Sequence, residues 1–336
     1  MIARAFHGWE RRLASVTTDR VVRPFEWGLD WVDPHSMDAA DPGVFLEGWA
    51  HAAVADSSQF YATTPAPAYE LRDDRLAFES AITTPHPANN IVRARYFPEA
   101  SPAGRRRAVL VLPQWNADAE GHVGLCRLIN QFKVSALRLT LPYHDERRPP
   151  ELSRADYIVS ANIGRTIEVC RQAVLDARRA IAWLAQEGYE SIGILGTSLG
   201  SCLSMLTAAH EPLIRSAALN HISPYFADVV WTGLSTSHVR ESLDSHIDLD
   251  RLRRIWLPIS PFPFLERIRG RSVLLVYAKY DLTFPVDLSK LLVNEFRRRH
   301  IPHQLLVLPC GHYSTGVTPF KWMDGLALCR FLNRTL

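Results

Sequence analysis

Apolar and polar residues change rhythm several times along this chain of 336 residues. In "YELRDDRLAFESAI" and "NNIVRARYFP" they alternate, the period of half-buried strands. "RRAVLVLP", at 106–113, is a continuous apolar run. Such a run suits a strand buried on both faces of a parallel sheet. A helical pattern follows at "EGHVGLCRLINQF", and another strand pattern at "VSALRLTLP". Beyond the Pro- and charge-rich "YHDERRPPE", Ile163, Ile167, Val174, Ile181 and Leu184 recur at helical spacing, predicting a long helix over about 155–186. "SIGILGT" reads as a strand, "LGSCLSMLTAAH" as a helix and "IRSAALNHI" as a strand.

The alternation lapses over about 223–269, where Tyr225, Phe226, Trp231, Trp256, Phe262 and Phe264 gather around the Pro-rich "LPISPFPF". Helical pieces but no strand are expected there. The pattern resumes with a strand at "RSVLLVYAKYD", a helix at "DLSKLLVNEFRRR", a strand at "HQLLVLP" and a helix at "FKWMDGLALCRFLN". Strands and helices alternating over short connections predict parallel βαβ units and an α/β fold. Residues 1–66 differ: rich in Trp, Ala and Asp and broken by Pro, they predict an arm of short helices on a body spanning 67–336.

Composition narrows the function classes. The net charge of +3 is mild, and nearly all the cations are Arg, with Lys only at 133, 279, 290 and 321. The basic runs at 105–107 and 297–299 are short and lack interleaved aromatics, so no nucleic-acid partner is expected. The five cysteines, Cys126, Cys170, Cys202, Cys310 and Cys329, are scattered and contain no C-x-x-C pair. They read as reduced, buried thiols rather than a disulfide framework or zinc cluster. The first residues lack an apolar signal core, and no apolar run reaches spanning length, so a cytoplasmic protein without a membrane span is expected.

The chemistry gathers at strand ends. Gly196-Thr197-Ser198-Leu199-Gly200 fits G-x-S-x-G between a predicted strand and a predicted helix, the setting that projects a serine at the top of a sheet. A serine hydroxyl needs a base and an orienting acid to become nucleophilic. Of 13 histidines, His312 stands just beyond the last strand, after Gly311. His303 lies at that strand's opposite end, while His221 and His144 read as pocket-lining or structural. Asp281 ends the strand before His312, and Pro285 opens the next helix. Asp287 reads as structural, since an acid suits a helix's first turn.

"GTSLG", "YDLTFP" and "CGH", in the order Ser, Asp, His, resemble the α/β-hydrolase superfamily over about 67–336. The resemblance implies a mostly parallel central sheet with helices on both faces and a helical cap inserted at about 223–269. It assigns Ser198 as nucleophile, His312 as proton shuttle and Asp281 as the acid orienting it. One oxyanion donor is then the Leu199 N–H. The second comes from "LPQWNAD", where the family often carries His-Gly; aligning Pro113-Gln114 with that pair makes Trp115 the donor, with Gln114 as second choice. Asn116 either adds a side-chain donor or caps the next helix.

The expected activity is hydrolysis of a carboxylic ester of a small or medium apolar acyl compound through an acyl-enzyme. Thioesterase, peptidase or acyltransferase chemistry on the same residues, and a ligand-binding protein that only keeps the scaffold, stay open. No cofactor or metal is expected, since G-x-x-x-x-G-K-[ST] and H-E-x-x-H are both absent.

Overall fold

The computed structural model of the protein describes residues 2–33, 35, 39–100 and 104–336. Met1 and residues 34 and 36–38 of the expected arm lie outside the described residues. Nine strands form one sheet: β1 (Tyr69–Arg72), β2 (Arg75–Glu79), β3 (Ile91–Phe97), β4 (Arg107–Leu112), β5 (Ser135–Leu139), β6 (Ser191–Thr197), β7 (Ile214–Asn220), β8 (Ser272–Ala278) and β9 (Gln304–Leu308). Their spatial order is β1-β2-β3-β5-β4-β6-β7-β8-β9. The alternating segments make the antiparallel end, β1 to β3, with β3 also antiparallel to β5. From β5 through β9 all neighbours are parallel. The strand order reverses at β4, with β5 on one side and β6 on the other. In open α/β sheets the crevice at the carboxyl ends beside such a reversal is where ligands bind.

The amino-terminal segment forms α1 (Ile2–Ala14), α2 (Leu29–Val32), α3 (Pro42–Ala55) and α4 (Ser57–Phe60). Between the strands run α5 (Val123–Gln131), α6 (Ile163–Gln186) and α7 (Leu199–His210). Between β7 and β8 come α8 (Phe226–Thr232), α9 (Ser237–Leu243), α10 (Leu249–Ile255) and 3-10 turns at Leu257–Ile259 and Phe262–Ile268, with no strand among the described residues. The chain closes with α11 (Val286–Arg298) and α12 (Phe320–Thr335).

Each inner strand buries both faces, as its unbroken apolar run requires. Ala108, Leu110 and Leu112 of β4 face a core shared with α6, α7, the insertion, and Leu46, Phe60 and Tyr61 of the arm. Val109 and Val111 face the other core, with α5 and α12. All five cysteines are free and buried.

The predicted long helix starts later than its pattern suggests. Residues 155–162 are not helical: α6 begins at Ile163, because Asn162 caps it by accepting the Arg165 N–H at 2.9 Å. The chain just before is held by the arm instead. The Glu26 N–H donates to Ala161 O at 3.1 Å, and the Ile163 N–H to Glu26 O at 2.9 Å.

Candidate active site

Ser198 joins β6 to α7 with φ +57° and ψ −122°, a strained conformation for a residue with a side chain. The turn stays tight because its neighbours are glycines. A Cβ on Gly196 would lie 2.1 Å from Gly200 O, and one on Gly200 would lie 2.2 Å from Leu112 O. The Ser198 N–H donates to Asn220 O of β7 at 2.8 Å. Ser201 Oγ lies 2.6 Å from Ser198 O and 2.8 Å from His221 O, its single proton shared between the two carbonyls. The bend is therefore tied to the adjacent strand end.

The structure brings together the three residues singled out at strand ends. His312 Nε2 lies 3.1 Å from Ser198 Oγ. His312 Nδ1 lies 2.9 Å from Asp281 Oδ2. Asp281 is buried, and its Oδ1 accepts the Thr283 and Phe284 N–H groups at 2.8 and 2.7 Å. Phe284 stacks parallel to the His312 ring. Burial opposes the charge of Asp281, but His312 and His221 outweigh it and hold the carboxyl far below the usual carboxylate range. Burial also works against a charged His312. The Asp281 carboxylate, with Glu10 adding to it, overrides that and keeps the imidazole above its ordinary value. An ionised Asp281 accepts from Nδ1–H, which leaves Nε2 free to take the serine proton.

His221 belongs to this group as a hydrogen-bonding partner. Its Nδ1 donates to the same Asp281 Oδ2 at 3.0 Å, and its ring centroid is 4.6 Å from that of His312. Its backbone is left-handed at φ +57°. The ligand-capable atoms of His221, Asp281 and His312 all lie within 4.8 Å of one another. Both imidazoles are at hydrogen-bond distance from one carboxylate oxygen, and an ionised Asp281 accepts from both. His144 is buried and structural: Nδ1 donates to Pro142 O, and Nε2 accepts the Asn116 N–H at 3.0 Å. Burial lowers it to about 4, so it is neutral. His303 points its Nδ1 at Ile301 O, at the far end of β9. Asp287 is exposed on the first turn of α11, 3.8 Å from Lys290.

The loop after β4 lies across from the bend. Gln114, Trp115, Asn116 and Leu199 line a cavity of about 730 Å³ that also exposes Ser198 and His312. The backbone N–H groups of Gln114, Trp115 and Leu199 have no hydrogen-bond partner among the described residues. The loop is braced from outside. Trp115 Nε1 donates to Ala155 O at 2.9 Å, and Asn116 Oδ1 accepts the Ala155 N–H at 2.8 Å. Asn116 therefore does not cap α5, whose N-cap is His122. It uses a left-handed φ of +59° to tie its loop to residue 155. Of the insertion's six aromatics, Phe226 reaches the cavity. Trp256 and Phe264 are core residues.

Two participants escaped the sequence reading. His122 Nε2 meets Thr197 Oγ1 at 2.9 Å, beside the bend. Burial, with Arg138 nearby, lowers that imidazole to about 4. Glu10 of α1 is fully buried beneath the His312 loop. The only local signal for Glu10 was its place in the apolar stripe of α1, four residues after Phe6 and three before Leu13.

No protein-family model matches the chain, and no curated protein matches it in sequence. Solved structures do resemble it. An acetyl xylan esterase from Paenibacillus sp. R4 superposes with a TM-score of 0.62 at 13% identity, covering 97% of this chain and 99% of that one. Acetyl xylan esterase 1 from Thermoanaerobacterium sp. JW/SL YS485 gives 0.59 at 13% identity, covering 96% and 98%. Pyrococcus horikoshii acylaminoacyl peptidase gives 0.62 at 12% identity over 81% of this chain, which spans only 42% of that protein. Together with the strand order and the serine bend after β6, these likenesses define an α/β-hydrolase fold, as the resemblance in the motifs implied.

Proposed function

We propose that the protein is a serine hydrolase that cleaves a carboxylic ester, or a closely related acyl compound, through an acyl-enzyme on Ser198. The observation carrying this reading is the unbroken chain from Ser198 Oγ through His312 to Asp281, at 3.1 and 2.9 Å. It opens on a cavity large enough for a small-molecule substrate. The esterases among the structural neighbours support the same chemistry.

In this mechanism Ser198 Oγ bonds to the acyl carbon as its proton passes to His312 Nε2. Asp281 stabilises the imidazolium through Nδ1–H. The carbonyl oxygen becomes an oxyanion, which the Leu199 N–H and the Trp115 N–H, or that of Gln114, stabilise. Collapse breaks the bond to the leaving alcohol, which takes the proton from His312. Water then attacks the acyl-enzyme by the same route and releases the acid. The helical insertion caps the site. Phe226, Val229 and Val230 supply an apolar wall for the acyl or alcohol part.

A fluorophosphonate probe and a series of p-nitrophenyl esters test this. Wild type is expected to be labelled at one site and to turn over short esters. Ser198→Ala should abolish labelling and reduce kcat on the order of 10⁴-fold or more. Labelling that survives Ser198→Ala, or a folded wild type that neither labels nor turns over any ester, overturns the proposal.

A further inference from the structure

The base His312 sits in a loop that has little structure of its own. It is followed only by a 3-10 turn, Ser314–Gly316. What holds this loop comes from the other end of the chain. Glu10 Oε2 accepts the Tyr313 N–H at 2.8 Å. Glu10 Oε1 accepts the Ser314 N–H at 2.9 Å and the Ser314 hydroxyl at 2.7 Å. The Ser314 hydroxyl in turn accepts the Gly311 N–H at 2.8 Å. Both chain neighbours of His312 are thus tied, directly or through one hydroxyl, to a single carboxylate.

That carboxylate is fully buried, and no Lys, Arg or His lies within ion-pair distance of it among the described residues. Its charge is met by the hydrogen bonds of the His312 loop. Burying a carboxylate this way is costly unless its acceptor sites are filled, so the contact is strongly specified. The fit is close: a Cβ on Gly311 would lie 2.3 Å from Glu10 Cδ. The rest of α1 grips the neighbouring loop. Phe6 stacks on Tyr280, the residue before Asp281, with ring centroids 4.5 Å apart. Arg20, further along the arm, donates to the Tyr313 hydroxyl at 3.2 Å.

We propose that Glu10 is a positioning residue for His312, and that through it the amino-terminal arm holds the base loop in register with Ser198. The inference rests on His312 acting as the base in the proposed hydrolysis, but its geometric part is independent of the substrate. The charged and titratable groups facing His312 are Asp281 beyond β8, His221 beyond β7, Tyr313 in its own loop and Glu10 from α1. Glu10 therefore acts in two ways: it fixes where the imidazole stands, and its negative charge makes that imidazole more basic.

The test uses the full chain with Glu10→Gln, Glu10→Ala and Ser314→Ala. Glu10→Gln keeps the shape but removes the charge and replaces one of the two acceptor oxygens with an NH2 donor, so that either the Tyr313 N–H or the Ser314 N–H loses its acceptor. Ser314→Ala loosens the same loop by removing the hydroxyl that links Gly311 to Glu10, while leaving the carboxylate and its two backbone hydrogen bonds in place. Two readouts are needed: the rate of fluorophosphonate labelling at Ser198, and the titration of the His312 ring followed by NMR. In folded variants labelling and kcat should fall about 10- to 100-fold with KM little changed, because misplacing a base by about 1 Å has that effect. In Glu10→Gln the His312 midpoint should also move down by about half a unit or more. If the Glu10 variants fail to fold, Ser314→Ala decides through its labelling rate. If wild type proves unreactive, the hydrolase proposal falls, and the His312 titration in Glu10→Gln still decides the positioning claim. Folded variants with wild-type labelling and an unmoved His312 midpoint overturn it.

Discussion

Burial and two carboxylates pull His312 in opposite directions, which a pH profile separates. Burial alone would pull its basicity below the ordinary imidazole value of about 6.5, yet the carboxylates beside it win and raise it. A general base works when neutral, so kcat/KM should rise with pH through an acid limb lying above about 6.5. Asp281→Asn should remove the main raising influence, move that limb down and reduce kcat on the order of 10⁴-fold. His221 draws on the same carboxylate. Its Nδ1–H shares Asp281 Oδ2 with His312 and spreads the carboxylate's attraction over two rings. His221→Ala should concentrate that attraction on His312, shifting the acid limb upward with a modest loss in kcat. A pH series of kcat/KM on p-nitrophenyl acetate checks both signs, and limbs moving together would refute the account. The three central residues were legible in the sequence because each stands at a strand end, where the strand fixes its direction. His221 was legible as a structural partner. That it shares an oxygen with His312 was not, because this depends on β7 and β8 lying side by side.

At the scale of elements, the bend between β6 and α7 depends on close approach. Gly200 brings the start of α7 against the end of β4, where Leu112 O would be 2.2 Å from a Cβ. A backbone carbonyl in a parallel strand cannot rotate away. Gly200→Ala should therefore push α7 off the sheet, costing about 1–3 kcal/mol of stability as overpacking does. Labelling of Ser198 should fall further than stability does. A urea melt alongside labelling kinetics reads this, and a variant with wild-type labelling would show the contact to be slack. The same elements show what a single sequence can and cannot carry. Continuous apolar runs identified the inner strands, and the lapse at 223–269 marked the helical insertion, because burial on two faces or one leaves a local pattern. The start of α6 was misread by eight residues. Apolar residues such as Ile158 and Val159 continue ahead of it and are buried, but they pack from a loop held by Glu26 rather than from a helical turn. Periodicity reports burial, not the hydrogen bonds that accompany it. Glu10 was hidden for a related reason: its partners lie 303 and 304 residues away.

For the whole molecule, the question is whether the arm is an appendage or part of the folding unit. Its contacts are of two kinds. Glu47 of α3 meets Arg251 and Arg254 of α10 at 2.8 and 2.9 Å, and Asp41 meets Arg251 at 3.3 Å. These pairs are partly exposed, and pairs of that kind contribute about 0–1 kcal/mol each and weaken with salt. The apolar contacts weigh more. Leu46 and Tyr61 are fully buried in the same core as Leu110 of β4, Ile167 of α6 and Trp256 of the insertion. Tyr61 also donates its hydroxyl to Pro258 O at 2.7 Å. A core continuous across arm, sheet and insertion gives none of them a separate hydrophobic centre. The arm should therefore melt with the body. Far-UV circular dichroism and tryptophan fluorescence, which samples Trp27, Trp31 and Trp49 of the arm beside Trp183 and Trp256, should trace coincident thermal transitions. Leu46→Ala should destabilise the whole protein by about 2–5 kcal/mol, whereas Glu47→Gln should cost less than about 1 kcal/mol and still less in high salt. An early fluorescence transition that leaves the sheet folded would instead make the arm a separate unit. Glu10 could then release His312 without unfolding the protein, and fluorophosphonate labelling of Ser198 would be lost well below the main transition.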